Sequence, residues 1–218
     1  MTGAIDVLLL TMSALFPIVD PLSGSPIFLQ LTGELSSSMK RALALRVARN
    51  SFFLMIGSYF VGSYVLSFFG VSLPVVQVAG GLVVAGMGWR LLVEKDESRD
   101  SDSRSLHPQE AAHRAFYPLT LPLTVGPGSI SVAVTLGAHV THHYGLHVAI
   151  IAAALLGTGL VAASVYVCYG FADRLSRILG ETGTTVIIRL ASFLLLCIGV
   201  QIVWNGTREL LSTVLHVQ

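Results

Sequence analysis

Charged residues are scarce in this chain. Only 11% of its 218 residues are Asp, Glu, Lys or Arg, whereas a soluble domain carries roughly 25%. The mean hydropathy is +0.75. This deficit of charge excludes a surface that mainly meets water and indicates a protein surrounded by lipid. The formal net charge is only +1 and the basic residues form no patch, so nucleic acid is excluded as a partner.

Cysteine and buried acid are also scarce, which bears on catalysis. Cys168 and Cys197 lie in apolar stretches and are interpreted as core residues without a redox or metal role. Asp20 is the only acidic residue deep in an apolar stretch, and no acidic or histidine partner accompanies it there. Catalytic sites need such partners, so we expect neither an enzyme nor a bound cofactor or metal. Residues 1–6 lack the basic region of a signal peptide, so the first apolar stretch is expected to remain as a membrane span.

Six stretches are apolar enough to cross a bilayer core ~30 Å thick as helices. They cover residues 5–31, 47–69, 71–93, 116–138, 148–171 and 185–203. The sequence therefore predicts an all-α membrane protein with six transmembrane helices. Because only residues 70–74 join the second and third stretches, these two helices are expected to form an adjacent, antiparallel hairpin.

A polar stretch divides the chain into halves with three predicted spans each. Residues 94–114 contain almost no apolar side chain and are interpreted as a solvent-exposed linker. The predicted organisation is a first repeat at 1–93, a cytoplasmic linker at 94–115 and a second repeat at 116–218. Three spans per half make the second half enter the membrane from the opposite side, so the two three-helix repeats are expected to be inverted.

The basic residues predict the orientation of the spans. With the N-terminus outside, all but one of the 13 Lys and Arg residues fall on the cytoplasmic side, and Arg208 is the exception. Positively charged loops are retained in the cytoplasm. Both termini are therefore expected to be periplasmic, in a multi-pass protein of the cell inner membrane.

Two predicted spans contain clusters of proline and glycine. The clusters are Pro17, Pro21, Gly24 and Pro26 in the first span, and Pro118, Pro122, Gly126, Pro127 and Gly128 in the fourth. Proline removes helical hydrogen bonds, so helices 1 and 4 are predicted to be discontinuous. Unpaired backbone groups persist in a membrane only beside protein or a water-filled cavity, which places both breaks at the centre of the bundle. The alternative is a pair of kinks that serve only helix packing.

The two clusters share a pattern that predicts a binding site. Aligning Pro21 with Pro127 pairs Ser23 with Ser129, which supports an inverted repeat. A half-helix that starts at a serine presents free N–H groups to a carboxylate. Asp20 and nearby carbonyl groups could hold an ammonium group, or Asp20 could carry a coupling proton; alternatively, Asp20 only caps the broken helix. The candidate substrate-binding residues are Asp20, Pro21, Ser23, Gly24, Ser25, Thr124, Gly126, Pro127, Gly128, Ser129 and Ser131.

The same two segments carry a family resemblance. FPIVDPLSGSPIFLQLT in the first span and PLTLPLTVGPGSIS in the fourth resemble the signature segments of the MarC family of membrane proteins, which includes the SnatA small neutral amino acid transporters. The resemblance implies proton-coupled transport of glycine, alanine and similar amino acids at the two breaks. A passive channel or an exporter of another small solute or ion is the alternative. The chain departs from the family pattern at Asp20, where many relatives carry Asn, and at Gln77, where they tend to carry Arg.

Two further patterns have simpler interpretations. Residues 139–147 contain two histidine pairs spaced for one helix face, but no Cys or carboxylate accompanies them, so they are interpreted as an ordinary outer loop between spans four and five. Glycines within the predicted helices are expected to allow close helix packing. Those of the third span could also line a contact between copies of the chain in a homo-oligomer.

Overall fold

The computed structural model describes residues 2–33, 35–93, 115–144 and 147–215, and all regular structure in these ranges is helical. The elements are α1 Thr2–Val19, α2 Pro21–Leu31, α3 Ser37–Phe68, α4 Leu73–Val93, a π-helical segment Phe116–Thr124, α5 Pro127–Tyr144, α6 Val148–Gly170 and α7 Ala172–Leu215. The predicted all-α class is confirmed. The predicted linker at 94–114 lies outside the described residues.

Among the residues that the structure describes, five helical stretches are long and apolar enough to cross a membrane. They are Gly3–Leu29, Ser37–Phe68, Leu73–Val93, Val148–Gly170 and Thr182–Ser212. The first stretch runs through the junction of α1 and α2. The predicted fourth span at 116–138 is divided between the short π-helical segment and α5, and it is not among the five.

Two helices begin well before the apolar stretches that predicted them. α3 begins at Ser37 rather than at residue 47, after Ser36 accepts a hydrogen bond from the Met39 N–H at 3.4 Å. α7 begins at Ala172 rather than at residue 185, but its backbone is non-helical at Gly180, where φ is 64°. The membrane-crossing part after this kink begins at Thr182, close to the predicted start. Hydropathy detects only the apolar part of a helix, so it missed these polar first turns.

The predicted hairpin of the second and third spans is wrong. The helices α3 and α4 are joined by a tight turn at Gly70, whose φ of 68° is the left-handed conformation that ends many helices. Beyond this turn the two helices separate, and α4 makes its most extensive contact with α7. Glycines explain why α4 packs on α7, because Gly81 and Gly88 of α4 lie directly against the backbone of α7. A short connection brings helix ends together but does not decide which faces pack.

Within the described residues, extensive helix packing joins the two halves of the chain. α3 packs against α5 and α6, α1 packs against α6, and α4 packs against α5 and α7. In the same ranges, no two of the helices α1 to α4 pack extensively against each other. An ion pair of 2.9 Å between Lys40 and Asp173 adds a polar link between the first turns of α3 and α7. Each half therefore completes the core of the other.

The outward surface of the bundle is apolar. Phe53, Leu156 and Phe193 are each more than half exposed although they lie within the candidate spans. The interior instead contains fully buried hydroxyl groups, such as those of Thr11 and Ser51. A surface more apolar than the interior is typical of a protein embedded in lipid.

Candidate functional site: two helix breaks at the bundle centre

The first break is a single residue, Asp20, between α1 and α2. Its backbone is left-handed, with φ 42° and ψ 63°, a conformation that only short polar residues and glycine adopt readily. Its carboxylate accepts the Ser23 backbone N–H at 3.3 Å and thereby caps α2. Pro21 occupies the first turn, where a missing N–H costs no hydrogen bond. The capping alternative for Asp20 is thus what the structure shows.

The serines of the first break do not cap, which corrects the prediction. The Ser25 hydroxyl donates to the Leu22 carbonyl at 2.9 Å, within α2 itself. The Ser23 hydroxyl is buried and has no hydrogen-bond partner among the described residues. The Asp20 carboxylate already accepts a free N–H group of the first turn of α2, so no serine is needed as a cap.

The second break extends over more residues. The π-helical segment contains non-helical backbone at Tyr117 and Leu121, and its threonines bond to carbonyls five residues earlier. The Thr120 hydroxyl donates to the Ala115 carbonyl at 2.8 Å, and the Thr124 hydroxyl donates to the Leu119 carbonyl at 2.7 Å. The threonine side chains thus bond to carbonyls inside a segment whose two prolines lack backbone N–H groups.

The helix α5 then begins at Pro127, ahead of the serines that were expected to start it. Ser131 instead crosses to α4, where its hydroxyl donates to the Val76 carbonyl at 2.9 Å. Gly80 of α4 faces Ser131 so closely that a methyl group at Gly80 would collide with the serine side chain. The serine cap is therefore wrong in this half too, and Ser131 acts as a contact between helices.

A small cavity lies beside the start of α5. Its volume is about 20 Å³, enough for roughly one water molecule. Its lining residues are Ile18, Val84, Met87, Leu123, Thr124, Gly126, Gly128, Ser129 and Leu195. Four predicted site residues, Thr124, Gly126, Gly128 and Ser129, thus come together here. The first break reaches this cavity only through Ile18, and Asp20 does not line it.

Gly128 allows α4 to pack closely against the start of α5. A methyl group at Gly128 would collide with Cγ2 of Val84 on α4, and both residues line the cavity. The first backbone N–H groups of α5 have no helical acceptor, as in any helix. The cavity therefore lies at a helix terminus that carries a partial positive charge.

Tyr169 of α6, which the sequence reasoning missed, contacts both breaks. Its hydroxyl lies 3.1 Å from the Thr124 hydroxyl, and its ring stacks on Phe28 of α2 with centroids 4.7 Å apart. A methyl group at Gly24 would lie 3.1 Å from the tyrosine Cζ. The sequence feature that could have identified Tyr169 is its position deep in an apolar helix, because a buried tyrosine hydroxyl needs a hydrogen-bond partner.

Residues 139–144 of the histidine segment are helical, which corrects the loop expected there. α5 continues to Tyr144 and includes His139 and His143, whose rings stack with centroids 4.2 Å apart. The His143 ring nitrogen Nδ1 lies 3.2 Å from the His139 carbonyl oxygen. Among the described residues, no cluster of three or more His, Cys, Asp or Glu could hold a metal ion.

The sequence is similar to those of known membrane proteins. The family model described as "MarC family integral membrane protein" matches residues 5–211, which includes both breaks. The chain belongs to the MarC family. The "UPF0056 inner membrane protein MarC" of Escherichia coli is 33% identical over 206 residues, covering 91% of this chain and 93% of the relative. The proteins of the same name from Salmonella typhimurium and Citrobacter koseri are 32% and 33% identical, with the same coverage.

No solved structure matches this MarC-family chain. The names of the relatives and the apolar helices together identify it as a multi-pass inner-membrane protein.

Proposed function

We propose that the chain is a secondary transporter of small neutral amino acids such as glycine and alanine, coupled to protons. The observation that carries this proposal is the cavity beside the start of α5, inside a bundle whose outer surface is apolar. A binding site bordered by broken helices is a recurring plan of transporters. Glycines at its wall favour a ligand with a short side chain.

The proposed architecture has six spans in two inverted repeats, with helices 1 and 4 discontinuous. It equates α1 with the π-helical segment, α2 with α5, α3 with α6, and α4 with α7. The contacts support it, because the packing of α2 on α6 and α7 corresponds to that of α5 on α3 and α4. The packing of α1 on α6 likewise corresponds to that of the π-helical segment on α3. Both termini are proposed to be periplasmic.

The proposed site gives each end of a zwitterion a partner. The free N–H groups at Gly128 and Ser129 suit a carboxylate, because the helix terminus adds a partial positive charge. Asp20 and carbonyl groups near the first break suit the ammonium group. A cavity of about 20 Å³ holds less than an amino acid. We therefore assign this conformation to a closed state, from which α4 moves away from α5 to admit substrate.

Counterflow in proteoliposomes tests this function. Vesicles loaded with unlabelled glycine are expected to take up labelled glycine through the purified protein. Gly128→Ala should lower this rate about tenfold, because the added methyl group lies beside the N–H groups proposed to bind the carboxylate, and a loss of ~1.4 kcal/mol of binding corresponds to that factor.

The matched control is Gly86→Ala on α4, where an added methyl group meets no atom within 4 Å. This control should exchange glycine like the parent protein. Equal rates for the two alanine variants would contradict the assigned site. Absence of exchange across the common amino acids, together with single-channel currents, would replace the transporter by a passive channel.

A further inference from the structure

Tyr169 contacts both α2, which follows the first break, and the π-helical segment of the second break. It is 1% exposed and lies on α6, outside either break. Its ring covers Gly24 and stacks on Phe28, both in α2. Its hydroxyl reaches Thr124, the last residue of the π-helical segment and a wall of the cavity.

The direction of the hydrogen bond between Tyr169 and Thr124 follows from the other bond of the threonine. A hydroxyl group has a single proton to donate. The Thr124 hydroxyl gives this proton to the Leu119 carbonyl at 2.7 Å. The Tyr169 hydroxyl must therefore be the donor in the 3.1 Å contact with Thr124. The tyrosine proton thus points at the edge of the cavity.

We propose that Tyr169 is a gate residue that holds the two breaks together until a carboxylate binds. This inference rests on the proposed function and adds the group that couples substrate to opening. A carboxylate accepts a hydrogen bond from a phenol more strongly than a neutral hydroxyl does. A substrate carboxylate beside α5 therefore replaces Thr124 as the acceptor of the hydrogen bond from the Tyr169 hydroxyl. The second break is then no longer bonded to α6.

Cysteine accessibility tests the gate without any transported solute. The test uses the full chain in which Cys168 and Cys197 are replaced by alanine and Ser129, which lines the cavity, is replaced by cysteine. The rate of modification by a methanethiosulfonate reagent reports the population of the open state. Tyr169→Phe keeps the ring stacked on Phe28 but removes the donor. This change should raise the labelling rate on the order of five-fold, the usual worth of one neutral hydrogen bond.

Partner and control variants make the result specific. Thr124→Val removes the bond to Tyr169 and also the bond to the Leu119 carbonyl, so it should raise the rate at least as much. Adding Tyr169→Phe to Thr124→Val should change the rate little, because the tyrosine has then already lost its acceptor. Thr124→Ser should restore the parent rate. Tyr166→Phe, a second tyrosine on α6, should leave it unchanged. If one single variant fails to fold, the other still reports on the bond.

The outcomes separate the gate from the transport proposal. Unchanged labelling in both Tyr169→Phe and Thr124→Val would overturn the gate, even if glycine is transported. An additive increase in the double variant would also overturn it, since the two hydroxyl groups would then act independently. Faster labelling in both single variants without transport of any amino acid would support the gate and remove the proposed substrate.

Discussion

The contact between α4 and α7 should tolerate no added methyl group. At Gly81, a Cβ atom would lie 2.7 Å from the Val203 nitrogen and 2.8 Å from the Gly199 oxygen. At Gly88, it would lie 2.5 Å from the Leu196 nitrogen. All three are backbone atoms, so they cannot rotate away as a flexible side chain would. Alanine at either position must push the two helices apart.

The magnitude follows from a comparison within one helix. Overpacking costs ~1–3 kcal/mol, while replacing glycine by alanine in a helix returns up to ~1 kcal/mol. Gly86 lies between the two sites on α4, and a methyl group there meets no atom within 4 Å. Gly86→Ala therefore gains only the stability that alanine adds to a helix, without any overpacking cost. Relative to this control, Gly81→Ala and Gly88→Ala should each lose the full overpacking cost of ~1–3 kcal/mol.

Thermal unfolding in detergent measures the difference. For a chain of this size, each 1 kcal/mol corresponds to roughly 2–4 °C in Tm. Trp89 and Trp204 are mostly exposed and do not report the contact, so the loss of helical circular dichroism is followed instead. Gly88→Ala should unfold several degrees below Gly86→Ala. Equal Tm values for the three alanine variants would refute the close approach of the two backbones.

Two further predictions concern Asp20 and the topology. Asp20→Asn keeps an oxygen that can cap α2 but removes the group proposed to carry a proton, so glycine counterflow should persist while accumulation driven by a pH gradient is lost. Asp20→Ala should in addition lower the free energy of unfolding by ~1 kcal/mol, the usual cost of a lost cap. If Asp20→Asn accumulates glycine as strongly as the parent protein, Asp20 is excluded from proton coupling. For the topology, alkaline phosphatase fused after Gln218 should be active and a green fluorescent protein at the same place dark; the opposite pattern would reverse the proposed orientation.

The prolines do not by themselves determine where a helix is interrupted. Pro17 and Pro26 lie inside α1 and α2 although proline lacks a backbone donor, whereas the backbone leaves the helical path at Asp20 and again at Val125. The capping group was not predictable either, because Asp20 and the serines at 23 and 25 all suit an N-cap. The left-handed backbone at Asp20 decided in favour of the aspartate.

Contacts between distant segments could not be predicted in the same way. Nothing near Tyr169 in the sequence indicates that its hydroxyl meets Thr124, because the two residues lie on different elements. The length of the loop at Gly70 suggested a hairpin, but the glycine face of α4 packs more closely on α7. Loop length restricts only helix ends, whereas the shape of a whole helix face determines its neighbour.

The interleaved packing of the two halves also bears on how the protein is made. When the ribosome has delivered α4 to the membrane, the helices already inserted have few contacts with one another. Their glycine faces and buried hydroxyl groups then meet lipid or the insertion machinery until α5, α6 and α7 arrive. Biosynthesis therefore passes through a half-inserted chain that depends on protection from other membrane components. Damage to the last helix leaves the first helices of the chain without their partners.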